Sequence, residues 1–383
     1  MDNTTLTALL EMMVRRGGSD LHITTNSPPR IRVDGRLQPV EDCAPLDAES
    51  ARALIYSLLS EPQRGRFETE LSIDFSFELT GVSRFRANVF DQRGGAAAVF
   101  RTIPYEIKSF DELGLPPVVE ELCDIPRGLI LVTGPTGSGK STTLAAMIDK
   151  LNRERSQHIL TIEDPIEFIH RHKNCLVNQR EVGTNAHGFA DALRVGLRQD
   201  PDVVLVGELR DLETIEAALR IAETGHLTFA TLHTNSAAST ITRIVDIFPA
   251  IQQPQIRTQL AQVLEGVLSQ QLLPRASGDG RVMALEVMLP DQAIRHLIRT
   301  DKVHSIYSVM TTGQRGTGML TLNQSLCDLY MAGEITLPAA LNCSSDTKEL
   351  KELIDSKSAP GAAIAGTRNA SAGGGLMDNS LRI

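Results

Sequence analysis

Alternating hydrophobic and polar positions run through the first hundred residues and predict β-strands. The alternation is clear in SIDFSFEL (72–79) and SRFRANVF (83–90), and AAAVFRTI (96–103) is a further strand-like run. Successive side chains of a strand point to opposite faces, so this period of two is typical of a sheet with one buried face.

A hairpin and a helix complete this region. IRVDGRL (31–37) carries Asp34-Gly35 at its centre, a dipeptide that favours a tight hairpin turn. A helical pattern lies at 47–60, between the strands. Residues 1–103 are therefore predicted to form a small α+β domain with an antiparallel sheet. A segment with several prolines, residues 104–127, follows as a linker.

The pattern changes beyond residue 127, where short continuous apolar runs alternate with helical periodicity. The runs are GLILVTG (128–134), HILTIED (158–164), DVVLVGE (202–208) and LTFATLH (227–233). Buried runs that alternate with helices indicate a mostly parallel sheet covered on both faces. The fold class is therefore α/β, and the second domain is predicted to span 128–358.

The remaining C-terminal pattern is helical. It predicts one helical region at 251–272 and another from 290 to about 332. The last stretch, 359–383, is rich in Gly, Ala and Ser and has no periodicity, which predicts a disordered tail.

Composition and charge narrow the class of protein. The 383 residues carry a formal net charge of −9, which does not suit a nucleic-acid binder. No apolar run reaches the ~18 residues of a membrane-spanning helix, and the N-terminus lacks the features of a signal peptide. The five cysteines are scattered without a CxxC pair, so neither a disulfide framework nor a zinc site is indicated. We expect a cytoplasmic protein that binds no nucleic acid.

The segment GPTGSGKSTT, directly after the first apolar run, fits the phosphate-binding pattern G-x-x-x-x-G-K-[ST]. Glycines in such a loop let backbone N–H groups wrap phosphates, and the following helix adds positive potential. Lys140 would reach the β- and γ-phosphates, and Ser141 would hold Mg²⁺. The predicted ATP-binding residues are Gly134, Thr136, Gly137, Ser138, Gly139, Lys140, Ser141 and Thr142.

Two of the other apolar runs end in carboxylates. HILTIED ends in Glu163 and Asp164, and DVVLVGE ends in Glu208. Ligands of open α/β sheets bind at the carboxyl ends of strands, where a P-loop enzyme needs carboxylates for Mg²⁺ and for the attacking water. We assign Glu208 to Mg²⁺ and Glu163 to the general base. The two roles could be exchanged, and either carboxylate could instead cap the following element.

Two histidines, His226 and His233, flank the apolar run 227–232. A strand of that length separates them by about 23 Å at about 3.3 Å per residue, so they cannot contact the same phosphate within one subunit. His233, at the carboxyl end, is the predicted phosphate sensor. His226, at the far end, is either a catalytic or a structural residue.

Three arginines of the first domain are further candidates for the catalytic site. Arg84 and Arg86 share one exposed strand face, and Arg101 lies near the end of the next strand. Such a cluster is often only a solvated surface. In P-loop ATPases, however, arginines from outside the core often stabilise the transferred charge.

Four segments resemble, in order, the Walker A, Asp box, Walker B and His box of the type II/IV secretion ATPases. They are GPTGSGKSTT, TIEDPIEF, RQDPDVVLVGELRDLETIEAAL and AETGHLTFATLHTNSA. Two further segments, GGSDLHITTNSPPRIRVDG near the start and AIRHLIRTDKVHSIYS (293–308), resemble the pilus retraction subgroup of that family. The resemblance covers about residues 5–357.

This resemblance implies a PAS-like N-terminal domain joined to a RecA-like ATPase domain in a homohexamer. It implies that Mg²⁺-dependent ATP hydrolysis moves the domains, acts on an inner-membrane platform protein and returns pilin subunits from the fibre. The motor would lie at the cytoplasmic face of the inner membrane, with a paralogous retraction ATPase as a further partner. The residues it carries over are Lys140, Ser141, Glu163, Glu208, His226, His233 and, less directly, Arg84, Arg86 and Arg101.

A helix predicted at 293–299 is a candidate for partner contact. Its apolar face includes Leu297, and Arg295 and Arg299 form a basic pair at i,i+4. The retraction subgroup usually reads A-I-R-N-L-I-R-E here, whereas this chain has His296 for the Asn and threonine for the Glu. An ordinary packed surface helix remains an equal alternative.

Other functions stay open at this point. Residues 171–183 and 326–335 resemble an accessory retraction subgroup. Extension and secretion ATPases share the four boxes but usually add an N-terminal domain, and many add a tetracysteine insert; this chain has neither. A RecA-like helicase would need a basic groove with aromatic residues. A ring that binds nucleotide without hydrolysing it is a further alternative.

Overall fold

The computed structural model describes residues 5–33, 35–103, 106–312 and 318–358. The hairpin residue Asp34 and the predicted tail at 359–383 lie outside the described residues. In the part of the chain that is described, no helix combines the length and apolar character needed to cross a membrane.

The first part of the chain forms an antiparallel sheet with three helices. The strands are β1 (Asp20–Ile23), β2 (Arg30–Val33), β3 (Arg36–Pro39), β4 (Ser72–Leu79), β5 (Ser83–Gln92) and β6 (Gly95–Ile103). They pair in the order β3-β2-β1-β6-β5-β4. The helices are α1 (Leu6–Arg15), α2 (Ala48–Tyr56) and α3 (Glu61–Glu70). The predicted α+β organisation is confirmed, although α1 and α3 were not anticipated.

The alternation in the sequence separates the two faces of this sheet. On β5, Phe85, Ala87 and Val89 are buried in a core shared with α1 and α2, whereas Arg86 between them is exposed. The core therefore lies on one side of the sheet, and the opposite face carries polar side chains. That face is the one that presents the predicted arginines.

The second part of the chain contains a seven-stranded sheet. Its strands are β7 (Gly128–Thr133), β8 (His158–Glu163), β9 (Leu176–Glu181), β10 (Val203–Val206), β11 (Leu227–Leu232), β12 (Leu264–Pro274) and β13 (Arg281–Met288). Their order is β13-β12-β7-β11-β10-β8-β9, and every pair is parallel except β12–β13. This confirms the predicted mostly parallel sheet.

Helices cover both faces of this second sheet. They are α4 (Phe110–Leu113), α5 (Pro117–Glu121), α6 (Lys140–Glu154), α7 (Phe189–Gly196), α8 (Leu212–Glu223), α9 (Ala237–Asp246), α10 (Gln253–Val263), α11 (Gln292–Arg299), α12 (Ile306–Thr312), α13 (Leu322–Met331), α14 (Leu337–Cys343) and α15 (Thr347–Ser358). On β7, Leu129 and Leu131 pack into one core and Ile130 and Val132 into the other. The central strand is therefore buried on both sides.

The helical region predicted at 251–272 is wrong in its second half. Helix α10 ends at Val263, and residues 264–274 form β12, which pairs with β7 on one side and β13 on the other. An apolar run of this length fits a buried helix or a buried strand equally well, and here the pairing with a strand on each side makes it a strand. Gly266 packs closely against Leu122, because a Cβ at residue 266 would lie 2.9 Å from Leu122 Cδ1 and would make that side chain shift.

Candidate active site

The predicted phosphate-binding loop lies between β7 and α6, and its path requires glycine. Gly134 has a φ of 141°, and a Cβ at this position would lie 2.2 Å from the carbonyl oxygen of Gln270. Gly139, with a φ of 90°, is the N-cap of α6, which begins at Lys140. The backbone N–H groups of the loop therefore lie at the N-terminus of a helix, and this geometry binds phosphate. The remaining predicted residues are the exposed Thr136 and Gly137, the buried Ser138, and Ser141 and Thr142 in the first turn of α6.

The Lys140 side chain lies along this loop. Its Nζ atom donates to the carbonyl oxygens of Gly134 at 2.9 Å and Pro135 at 3.1 Å. Burial lowers the pKa of Lys140, while the nearby carboxylates of Glu208 and Glu167 act in the opposite direction. Among the residues that the structure describes, the buried Ser138 hydroxyl has no hydrogen-bond partner. A cradle of N–H groups with an unpaired hydroxyl and a cation fits a phosphate chain.

Strand β12 supports the loop from behind, a role that sequence reasoning missed. Gln270 Nε2 donates to the carbonyl oxygen of Ser138 at 2.9 Å, and Ser269 and Thr133 share a hydrogen bond of 2.7 Å. Both β12 residues are buried. The sequence motif predicted the loop, but no pattern in the sequence predicted that Gln270, more than 130 residues away, contacts it.

Glu163 is a buried carboxylate at the end of β8. It is 8% exposed and accepts hydrogen bonds from Thr161 Oγ1 at 2.7 Å, Gln179 Nε2 at 3.2 Å and the Glu167 N–H at 3.3 Å. Burial raises its pKa to about 6, although these three donors favour the charged form. A carboxyl group with a pKa closer to neutrality and a fixed orientation is suited to take a proton from water.

Glu208 follows β10 and is held by two basic groups. Arg210 Nη2 lies 2.7 Å from Oε2, and His233 Nε2 lies 3.3 Å from Oε1. Burial alone would raise the pKa of Glu208, but Arg210 and His233 outweigh it and the pKa is lowered. The group is therefore ionised at neutral pH, as a cation ligand must be. Arg210, which also lies 3.8 Å from Asp164, was not predicted from the sequence.

Four predicted groups meet at one edge of the sheet. The phosphate-binding loop, His233, Glu208 and Glu163 stand at the carboxyl ends of β7, β11, β10 and β8, which are consecutive strands. His226 lies at the opposite edge, where its Nδ1 atom is 3.0 Å from the Ile221 carbonyl oxygen at the end of α8. Within one chain, His226 therefore contributes to the helix end and not to this edge.

Comparison with known proteins shows the family of this chain. A family described as type II/IV secretion system protein matches residues 3–317. The chain belongs to this family. The type IV pilus retraction ATPase PilT of Pseudomonas aeruginosa is 54% identical to this chain over 331 residues, which are 86% of this chain and 95% of PilT. The twitching motility protein of Neisseria gonorrhoeae is 48% identical and covers 84% of this chain and 86% of its own.

A solved structure extends the likeness to three dimensions. The crystal structure of the pilus retraction motor PilT with bound ADP superposes with a TM-score of 0.86 at 52% identity, covering 91% of this chain and 99% of the other. The fold of this type II/IV secretion family member, including its N-terminal sheet, is thus that of the retraction motor.

The donor set of this family member also suits Mg²⁺. Ser141, in the first turn of α6, and the ionised Glu208 offer a hydroxyl and a carboxylate oxygen. Mg²⁺ is usually held by one or two carboxylates together with phosphate oxygens and water. These two residues would therefore hold the ion beside a nucleotide.

The three predicted arginines lie on the polar face of the N-terminal sheet, in different environments. Arg84 Nη2 is 3.0 Å from Glu181 Oε2 on β9, so this arginine bridges the two parts of the chain. Arg101 Nε is 2.8 Å from Asp20 Oδ1. Arg86 is exposed and lies directly opposite Arg101 in the β5–β6 ladder. A role for them at a phosphate stays a prediction.

Arg86 and Arg101 belong to a row of charges that the sequence did not reveal. In register across β2, β1, β6 and β5 lie Arg32, Asp20, Arg101 and Arg86. Like charges directly opposite each other on a sheet are destabilising. Three guanidinium groups beside one carboxylate therefore make a surface suited to an anion.

Helix α11 is confirmed, but its basic pair is not symmetrical. Arg295 Nη1 donates to the Ala261 carbonyl oxygen at 2.7 Å, and its Nη2 atom is 2.9 Å from Glu265 Oε2. Arg295 therefore fixes α11 to the end of α10. Leu297 is partly buried against the core, and Arg299 is exposed. Of the residues predicted for partner contact, Arg299 is the one free to serve it.

Proposed function

We propose that this chain is a hexameric ATPase motor that retracts type IV pili and so powers twitching motility. The observation that carries the proposal is the set of four functional groups after four consecutive strands, with the loop, His233, Glu208 and Glu163 at one edge. Similarity to PilT over most of both chains supports the retraction task. The predicted boundaries, 1–103 and 128–358, are kept as part of the proposal, with 104–127 as a linker whose helices α4 and α5 pack on the second sheet.

Hydrolysis follows from the positions of this chain's own residues. Lys140 and the N–H groups of the loop bind the phosphates of ATP. Ser141 and Glu208 would hold Mg²⁺, which when bound offsets the negative charge of the phosphates. Glu163 accepts a proton from the attacking water, and its three hydrogen bonds keep it oriented for this step. His233, hydrogen-bonded to Glu208, links the metal ligand to the end of β11.

We place each nucleotide between two subunits of a homohexamer. Arg86 and Arg101 lie on the polar face of the N-terminal sheet, and the charge row there can receive a neighbour's phosphates. Their position supports a role in the adjacent site, where arginines stabilise the transferred charge. The motor would act at the cytoplasmic face of the inner membrane on a platform protein, with pilin as the indirect load and a paralogous retraction ATPase as a further partner.

Glu163→Gln should lower ATP turnover by about 10²–10⁴-fold while ATP and Mg²⁺ binding persist, because only the base is lost. In the unaltered protein, turnover should fall as the pH drops through about 6, where Glu163 becomes protonated. Steady-state assays and a nucleotide-binding titration against Mg²⁺ check both points. Loss of Mg²⁺ dependence in this variant, but not in Glu208→Gln, would mean that the two roles are exchanged.

The task itself is tested in cells that lack the chain. These cells should be hyperpiliated and non-motile, and the unaltered gene should restore twitching where the Glu163→Gln form does not. Cells without pili would instead indicate extension. Normal twitching after restoration with the hydrolysis-deficient form would contradict the motor.

Arg299→Ala should leave ATP turnover and ring assembly unchanged but reduce twitching several-fold, if α11 contacts a partner. An exposed charge contributes little to stability, so the fold should tolerate the change. Arg295→Ala is the informative contrast, because it breaks the contacts with Ala261 and Glu265 and should lower the melting temperature. Twitching assays, light scattering and thermal melts distinguish the two. Normal twitching by Arg299→Ala would exclude this residue from the partner contact.

A further inference from the structure

Glu181, at the end of β9, joins the N-terminal sheet to the loop that follows Glu163. Glu181 is 5% exposed. Its Oε2 atom accepts hydrogen bonds from Arg84 Nη2 at 3.0 Å and from the Ile166 N–H at 3.1 Å. Ser76 Oγ, on β4, lies 3.1 Å from each carboxylate oxygen. One carboxylate therefore contacts two strands of the first sheet and the loop after β8.

The residue after Ile166 binds the proposed base. The Glu167 N–H donates to Glu163 Oε2, and the Ile166 side chain is buried, so the two backbone contacts are part of one short, fixed segment. On the same strand as Glu181, Gln179 donates to the other oxygen of Glu163. Strand β9 thus holds Glu163 in two ways: directly through Gln179, and through the loop by way of Glu181.

One of the contacts between the two parts of the chain is an ion pair with little access to solvent. The Arg84 and Glu181 side chains are 18% and 6% exposed. A buried carboxylate without its partner is costly, whereas a paired one is tolerated. Thr184 Oγ1 also donates to Glu181 at 3.2 Å, but Arg84 is the cation that offsets the charge of this carboxylate. The placement of the N-terminal sheet and that of the loop are linked through one side chain.

We propose that Glu181 is a positioning residue through which the N-terminal sheet sets the geometry of the Glu163 base, with Arg84 acting on Glu181 instead of on a phosphate. The proposal deepens the ATPase function proposed above and rests on Glu163 being the base. With the sheet in its present place, Glu181 holds Ile166, and Glu167 donates to Glu163. When the sheet moves away, Glu181 loses the partners that orient it and no longer holds Ile166 in this place. Glu163 then loses the hydrogen bond from the Glu167 N–H. Domain movement thereby controls the chemical step.

The test is a double-mutant cycle in the full chain, with Glu181→Gln, Arg84→Met and the two together. Each single change should lower kcat by roughly 10- to 100-fold through misplacement of the base, with KM for ATP unchanged. The double variant should be no slower than the slower single variant, because both changes break the same contact.

The pH profile gives a second readout that a purely structural role would not move. The carboxylate of Glu163 is favoured by the Glu167 N–H, while the charge of the Glu167 side chain opposes it. Loss of the N–H contact should raise the pKa of Glu163. The pH of half-maximal turnover should therefore move upward from about 6 in Glu181→Gln.

A matched control makes the same chemical change elsewhere in the N-terminal part. Glu68→Gln removes the charge from an exposed pair with Arg52, whose atoms are 3.0 Å apart, and should leave kcat unchanged. Because breaking a buried pair destabilises a protein, thermal melts precede the assays. Arg84→Lys keeps the positive charge and should recover most of the turnover lost in Arg84→Met.

Three outcomes would overturn or redirect the proposal. Normal kcat and an unmoved pH profile in Glu181→Gln would reject it. Losses that multiply in the double variant would mean that Arg84 acts at a separate place, such as a phosphate. Glu163→Gln, assayed alongside, distinguishes failure of the proposed base from failure of the positioning role. If Glu163→Gln remains active, the proposed base is wrong. If Glu163→Gln is inactive while Glu181→Gln is normal, only the positioning role fails.

Discussion

Lys140→Ala should reduce kcat/KM for ATP hydrolysis by roughly 10³–10⁵-fold. The lysine makes a charge-assisted contact with bound phosphates, worth about 1.5–3 kcal/mol. It also stabilises the charge that develops during transfer, and losing one such donor typically costs about 2.7–4 kcal/mol. The two effects together give about 4–7 kcal/mol, which corresponds to the stated range. Nucleotide-binding titrations measure the loss of the phosphate contact, and steady-state ATPase assays measure the full loss of kcat/KM.

The same helix offers a matched control for that change. Lys150 lies on α6, is as buried as Lys140, and pairs with Glu120, Asp124 and Glu154 instead of with the loop. Lys150→Ala should lower the melting temperature yet retain turnover. Lys140→Ala removes the Nζ donor to the carbonyl oxygens of Gly134 and Pro135, so the fold of this variant also has to be checked by a thermal melt. Near-native turnover by a folded Lys140→Ala variant would contradict the phosphate-binding loop.

The parts of the site that the sequence predicted are those whose signals are local. The loop motif lies within ten residues, and both its glycines and Lys140 have the predicted places. Glu163 and Glu208 were found because each ends an apolar run, and parallel strands bring their carboxyl ends to the same edge. Local patterns of this kind depend on backbone conformation and strand order, which the hydrophobic periodicity already indicates.

The supporting contacts could not be predicted, because they join distant segments. Gln270 reaches Ser138 across 132 positions, and Arg84 reaches Glu181 across 97. The helix wrongly predicted for the residues of β12 has the same explanation. Their apolar run fits a helix as well as a strand, and the pairing with β7 and β13 that decides between them joins distant segments. The periodicity of α11 suggested a free basic pair, yet Arg295 is occupied by the end of α10.

Arg86→Ala should lower turnover by about 10³–10⁵-fold with nucleotide binding and ring assembly nearly intact, the loss expected when a charge-stabilising arginine is removed. Arg86 is the cleaner choice, because Arg101→Ala would also leave Asp20 without its nearest cationic partner. Arg36→Ala, at an exposed position of β3 in the same sheet, is the control and should be fully active. Light scattering should show the same ring for all three variants.

Mixing two inactive variants shows which subunit supplies the arginine. Arg86→Ala subunits keep an intact loop, and Lys140→Ala subunits keep the arginine, so a site between them is complete only if Arg86 acts across the interface. Random mixing in equal amounts would complete about one interface in four of a closed ring with head-to-tail contacts. The mixture should then regain activity that neither variant has alone. No recovery, with subunit exchange verified by light scattering and labelled chains, would place Arg86 in its own subunit's site or outside catalysis. A fully active monomer would remove the ring from the mechanism altogether.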